Sequence, residues 1–322
     1  MRSGPTVARA ADDTEGSNPR IDRRGLLVSV GAVLAAGVLG ADRAVAARSQ
    51  ATAETASSGY ADVDGLRVYY ELHGGRPDGA TTPVVLLHGG MMAIETAFAN
   101  RLLPRLARSR PVIAIEQQGH GHTADRDGPA RIDRMVDDTA GVLGWLGVRQ
   151  AHFFGHSMGG MIATGMAIRH PGLVRTATAV SAMYNLEGML PELVRMQRNP
   201  AHQPSAEIIP LLPTEADFNA WRAHYQRTAP DPAAFERVLG KLNAMLAVWP
   251  GWTEAELGSI RAPTLLAIGD NDFTRIEHAA EMSRLIPGAQ LAVLPGTTHM
   301  NIIERGAWLE PMFEARIGAS AG

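Results

Sequence analysis

Cysteine is absent from the 322 residues, and lysine occurs once, as Lys241. Without thiols the chain has no disulfide, no thiolate metal ligand and no cysteine nucleophile, and it suits any compartment. An excess of one charge is lacking too. The net charge of -3 gives no electrostatic case for binding nucleic acid or an acidic membrane surface. No apolar run is long enough to span a bilayer: the longest candidate, Leu26–Leu39, falls short of the ~20 residues that a spanning helix needs. A stable membrane anchor is therefore not expected. What the chain does have is 45% apolar residues, enough to build the core of one large domain or two small ones.

The N-terminal region differs from the rest. Arg23 and Arg24 adjoin the Leu26–Leu39 run, and Ala44-Val45-Ala46 follows as a small-residue cleavage site. A basic pair, a short apolar segment and an A-x-A end predict an export signal over residues 1–46, with the arginine pair suggesting the twin-arginine route. The mature chain would then begin near Ala47, outside the cytoplasm, with 47–59 a flexible lead-in rich in Ser, Thr and Ala. Residues 1–59 are accordingly set outside the fold.

Beyond them strand-like and helical segments alternate. Strands are expected at Leu66–His73, Pro83–Gly89, Pro111–Gln117, Ala151–Gly155, Val174–Ala182, Ala262–Gly269 and Ala289–Gly296. Helices are expected at Glu95–Arg108, Arg131–Leu146, Ser157–His170, Ile276–Ile286 and around Ile303–Ile317. Several strands are apolar throughout, as strands covered on both faces should be. The alternation predicts an α/β fold, a mostly parallel sheet with helices on both faces. Between Tyr184 and Ser259 the rhythm breaks into helical patterns punctuated by proline. Phe235, Val238, Leu239, Leu242, Met245, Leu246 and Trp249 there form one helical face. The expected organisation is a core made of 60–184 and 260–322, with 185–259 inserted as a helical cap over the edge where α/β sheets bind ligands.

The segment GHSMG, Gly155–Gly159, places a serine at a strand-to-helix turn between two glycines. A turn this tight demands residues without Cβ atoms on either side, and it exposes the serine hydroxyl as a nucleophile. Such a hydroxyl needs a base, and the base an orienting carboxylate, in the chain order serine, acid, histidine. Of the 11 histidines only His278 and His299 follow the cap. His278 falls inside a predicted helix as a partly exposed residue, whereas His299 lies in the loop after a strand and is the candidate base. The acid is Asp270 or Asp272, both just beyond the strand that ends at Gly269. Asp272 is favoured because it can extend over the sheet, while Asp270 fixes the turn. Backbone donors for the developing oxyanion are expected at Met158, which follows the serine, and at Gly90, with Met91 as the alternative. His88 is expected to tie down that loop. A zinc reading of His120, His122 and Asp125 is set aside, since H-x-H-x-x-D lacks the paired Asp-His of metallo-hydrolases; no metal ligand is assigned.

Taken together, HGG at 88–90, EQQGHGHT at 116–123, GHSMGG at 155–160, GDND at 269–272 and PGTTH at 295–299 resemble the α/β-hydrolase superfamily in its capped, cofactor-free branch. The resemblance runs from about Gly59 to Ile317. It implies Ser157, Asp272 and His299 as the triad, no cofactor and a small-molecule substrate. One departure stands out: the family segment usually read D-x-R-G-x-G-x-S runs Glu116 to Thr123 here, with glutamines and histidines in its place. A serine at the elbow argues against the dehalogenases and epoxide hydrolases, which carry aspartate there. The expected activity is a carboxylesterase or lactonase on a small apolar ester, with C–C bond hydrolysis or cofactor-free perhydrolysis as the enzymatic alternative and a non-catalytic ligand receptor as the other. Met91, Met92, Met158, Met161 and Met183 are candidates to line an adaptable apolar pocket. Trp221, Tyr225, Trp249 and Trp252 either line the underside of the cap or hold it to the body.

Overall fold

A computed structural model describes Met1 and residues 55–99, 102–199 and 201–318. The predicted export signal falls outside the described residues. Among them no helix is long and apolar enough to cross a membrane.

Eight strands form one sheet in the order β1-β2-β4-β3-β5-β6-β7-β8. They are β1 (Thr55–Val63), β2 (Leu66–His73), β3 (Val84–Leu87), β4 (Val112–Ile115), β5 (Ala151–His156), β6 (Val174–Val180), β7 (Thr264–Asn271) and β8 (Gln290–Thr298). Pairing is antiparallel for β1 with β2 and for β2 with β4, and parallel across the remainder. The central strands VVLL, VIAI and AHFFGH are buried at every position, which their unbroken apolar runs require once helices cover both faces.

The body helices are α1 (Ile94–Phe98), α2 (Leu103–Leu106), α3 (Ile132–Trp145), α4 (Met158–Arg169), α9 (Ile276–Leu285) and α10 (Gly306–Gly318). Between β6 and β7 come α5 (Pro191–Arg198), α6 (Glu215–Thr228), α7 (Phe235–Val248) and α8 (Glu254–Ser259). The apolar face read on α7 is the buried one: Phe235, Val238, Leu239, Leu242 and Met245 face inward. The lone lysine fastens this helix to the body. Lys241 Nζ donates to Asp125 Oδ2 and to the Arg126 carbonyl, each at 2.6 Å. Val238 packs where Gly119 leaves no room for a Cβ. The aromatic residues of the insertion serve packing: Trp252 lies against Gly165 of α4, Trp221 against Phe218 and Tyr225 against Phe235.

Three expectations change. Residues 55–59 belong to β1 and not to a flexible lead-in, so the sheet begins before Tyr60. This edge strand carries no apolar run; it is held by antiparallel pairing from Val63↔Leu66 to Thr55↔His73. The turn between them, Asp64-Gly65, has positive φ at both residues (49° and 77°), the geometry that a two-residue hairpin demands. The expected helix Glu95–Arg108 is two short ones, because Pro104 sits at the first turn of α2 and cannot continue a helix from behind. The C-terminal helix starts at Gly306, with Ile302–Glu304 forming a separate 3₁₀ turn before it.

Candidate active site

One residue separates β5 from α4, and it is Ser157, with φ 53° and ψ -118°. A non-glycine residue held there stores about 1–3 kcal/mol of strain. The surroundings maintain it: the Ser157 N–H donates to the Val180 carbonyl at 2.8 Å. A Cβ on Gly155 would fall 2.0 Å from the Gly159 carbonyl oxygen, and one on Gly159 would fall 2.1 Å from that of Leu87. Both glycines are therefore dictated by backbone contact, as the spacing predicts.

His299 and Asp272 come from the loops after β8 and β7, whose parallel pairing brings those ends together. The Ser157 hydroxyl donates to His299 Nε2 at 2.9 Å, and His299 Nδ1–H donates to Asp272 Oδ1 at 2.7 Å. The carboxylate is buried and otherwise satisfied: the Thr274 N–H donates to Oδ1 at 2.9 Å, and the Ser181 hydroxyl donates to Oδ2. Burial alone would raise the Asp272 pKa. The His299 imidazole and the hydrogen bonds from His299, Ser181 and Thr274 outweigh it and hold the carboxyl below its ordinary range. Asp270 does not reach His299. Its exposed carboxylate accepts the Gly296 and Thr297 N–H groups at 3.0 and 2.9 Å, fixing the end of β8.

The loop after β3 carries Gly90 to the cavity wall beside Ser157 and Met158. Met91 is committed elsewhere, because its N–H donates to His120 Nε2 at 3.0 Å. Two buried imidazoles clamp this loop. His88 Nδ1–H donates to the Gly89 carbonyl while its Nε2 accepts the Gln117 N–H, and His120 Nδ1–H donates to the Gln118 carbonyl. Each ring thus accepts at Nε2, which only the neutral form can do. His120, His122 and Asp125 do not converge: His122 pairs with Glu116 and Asp125 with Lys241. His278 is buried, not partly exposed. It stacks on Tyr184 at 4.2 Å and accepts that residue's N–H.

Burial holds the pKa of His88 down at about 3, and those of His120, His152 and His278 at about 4. In the unfolded chain these groups titrate near 6.5, so between about 4 and 6.5 the unfolded state binds more protons than the native one. Stability is then complete above about pH 6.5 and falls on acidification, by up to about 1.4 kcal/mol per pH unit for each ring. Urea melts at pH 7 and pH 5 should show a lower midpoint at pH 5. An unchanged midpoint would contradict the neutral clamp.

A cavity of about 100 Å³ opens onto Ser157 and His299. Met158, Met161, Met183, Met189 and Met245 line it with Leu242, Leu246 and Phe273. Three of these methionines match the sequence-based expectation. Met91 and Met92 do not line the cavity; Met92 faces a different hollow with Trp221 and Met300. Met189, Met245 and Leu242 come from the insertion, whose placement a single sequence does not reveal. Ser181 and Phe273 also carried no motif; being near the ends of strands beside the elbow was their only signal.

An eight-stranded, mostly parallel sheet with an elbow serine hydrogen-bonded to a histidine and an aspartate in chain order defines a class of hydrolase. The chain belongs to the alpha/beta hydrolase family, whose model matches residues 84–310. It is 30% identical over 259 residues to the RutD protein of Azorhizobium caulinodans, which carries the name of a carbamate hydrolase; the match covers 74% of this chain and 91% of the other. It is 26% identical to a bifunctional esterase/perhydrolase of Acinetobacter calcoaceticus, over 69% of this chain and 78% of the other. An enol-lactonase from Burkholderia xenovorans shares the fold, with a TM-score of 0.60 and 21% identity, covering 80% of this chain and 99% of that one.

Proposed function

We propose that this member of the family is a serine hydrolase that cleaves a small, uncharged apolar ester or lactone through an acyl-enzyme. The observation that carries the reading is the continuous hydrogen-bonded series Ser157–His299–Asp272, at 2.9 and 2.7 Å. His299 Nε2 takes the Ser157 proton as Oγ attacks the substrate carbonyl. Asp272 holds Nδ1 protonated and favours the imidazolium that forms. The N–H groups of Gly90 and Met158 receive the oxyanion. His299 then passes its proton to the departing alkoxide oxygen, and water, deprotonated by the same imidazole, releases the acid.

The cavity supports the choice of substrate. Among the described residues no side chain lining it carries a fixed charge, so an anionic acyl group would enter without a partner. Its volume is below the ~150 Å³ of an apolar cavity that accepts benzene, which favours short acyl chains. The alternatives of C–C cleavage and perhydrolysis rest on the fold's range of chemistry and not on a group in this site. The basic pair and A-x-A end of the leader support export by the twin-arginine route.

The test is a series of acyl esters assayed on protein recovered outside the cell, whose N terminus should lie near Ala47. Acetate to butyrate esters should turn over fastest, with kcat/KM lower by about tenfold or more for octanoate. Equal rates from acetate to octanoate, or a preference for carboxylate-bearing acyl groups, would overturn the assignment of substrate.

A further inference from the structure

His299 is constrained by more than its two hydrogen bonds. The Phe273 ring lies against the imidazole, with centroids 3.6 Å apart and planes 18° from parallel. Ring contact at this distance presents the electron-rich face of the phenyl group to whatever charge the imidazole acquires. The remaining neighbours of His299 differ in kind. Asp272 accepts from Nδ1, Ser157 donates to Nε2, and His156 Nε2–H donates to the His299 carbonyl at 3.0 Å, its ring 5.1 Å away and tilted by 49°.

Phe273 also faces two other ways. It lines the cavity, and it packs against Leu193, Met196, Ile208 and Leu212, an apolar cluster built by the insertion and separate from the main core. The backbone repeats this connection. The Leu190 N–H donates to the Phe273 carbonyl at 2.8 Å, Met189 pairs with Thr274, and the Arg275 N–H donates to the Gly188 carbonyl at 2.7 Å. One aromatic residue, next in sequence to the carboxylate that orients the base, therefore touches the base, the cavity and the insertion together.

A cation over an aromatic face is attracted to it, while a neutral ring in the same place gains only dispersion and burial. The contact is thus stronger when His299 is protonated, which in hydrolysis is the state that accompanies the tetrahedral intermediates. We propose that Phe273 is a positioning residue for the general base: it favours the imidazolium of His299 and links the seating of the insertion to the geometry of that base. This deepens the reading of His299 as the base and depends on it.

Replacing Phe273 by leucine keeps apolar bulk and removes the π face. Phe273→Leu should lower kcat by about three- to tenfold with KM little changed. It should also move the acidic limb of the kcat/KM profile down by about half a pH unit, because the protonated imidazole loses its partner. Phe273→Tyr, which retains the face, should restore both. Leu212→Ala, which loosens the cluster without touching the cavity, should lower kcat in the same direction by a smaller factor. Should Phe273→Leu fail to fold, Phe273→Met carries the same expectation. An acidic limb that stays in place, or a loss confined to KM, would overturn the proposal while leaving the hydrolase reading intact. That reading fails separately, if His299→Gln retains wild-type turnover.

Discussion

Ser157→Ala is expected to lower kcat/KM for ester hydrolysis by about 10⁴-fold or more while the protein stays folded. The hydroxyl is the atom that would bond to the acyl group, and the neighbouring Ser181 hydroxyl is taken up by Asp272. Folding should survive, because the Ser157 backbone N–H keeps its bond to Val180 and the flanking glycines are untouched. Alanine loses only Oγ, and the positive φ is imposed by the turn in either case. Slow residual turnover is expected from the proposed Gly90 and Met158 donors with His299 still present, as in other hydrolases stripped of the nucleophile. Circular dichroism and kcat/KM on the same preparation check both halves. Wild-type turnover in the variant would show that another residue is the nucleophile.

Asp272→Asn should cost about 10⁴-fold in kcat. The asparagine is nearly isosteric, but its carboxamide cannot stabilise an imidazolium, and its NH₂ group facing Nδ1 would favour the wrong tautomer. The site makes the change especially unfavourable. Asp272 is buried and accepts from His299, Thr274 and Ser181, so an amide nitrogen must displace one of those donors. Asp270→Asn supplies the contrast. That carboxylate is exposed and serves two backbone N–H groups of Gly296 and Thr297, so kcat should stay within about twofold of wild type. Equal losses in the two variants would remove Asp272 from the role given to it.

The hydrogen-bonded series Ser157–His299–Asp272 was legible in the sequence because each member is tied to a local pattern. Gly155 and Gly159 are dictated by backbone atoms within a few residues of one turn or by the adjacent strand. His299 and Asp272 each sit where an apolar run ends, and parallel pairing of β7 with β8 places such ends side by side. Of the two candidate acids, Asp272 accepts from His299 Nδ1, while Asp270 accepts the backbone N–H groups of Gly296 and Thr297. Apolar run length, by contrast, is silent about β1, whose residues qualify as a strand by pairing with β2 and not by hydrophobicity. The Asp64-Gly65 pair was the available sign, a two-residue turn followed by a strand pattern. Pro104 similarly marked the break between α1 and α2.

The cavity was only half legible. Met158 and Met161 follow from their place on α4, directly after the serine, and Met183 from the end of β6. Met189, Met245, Leu242 and Leu246 arrive from the insertion, and their position depends on how that segment lies over the sheet. The contacts that seat it have little sequence signature. A lysine that bonds a loop 115 residues earlier, and a valine filling the space left by Gly119, are recognised only once the chain is folded. The same holds for His88 and His120. Their proximity to a glycine-rich loop was visible, but the division of labour between Nδ1 and Nε2 was not.

The nucleophile can be tested without knowing the substrate. Folded protein treated with a fluorophosphonate and digested for peptide mass mapping should carry a single phosphonyl group, on Ser157, and His299→Gln should take up the label far more slowly. Label on a different residue, or none at all on folded protein, would contradict the claim that this hydroxyl is the activated group.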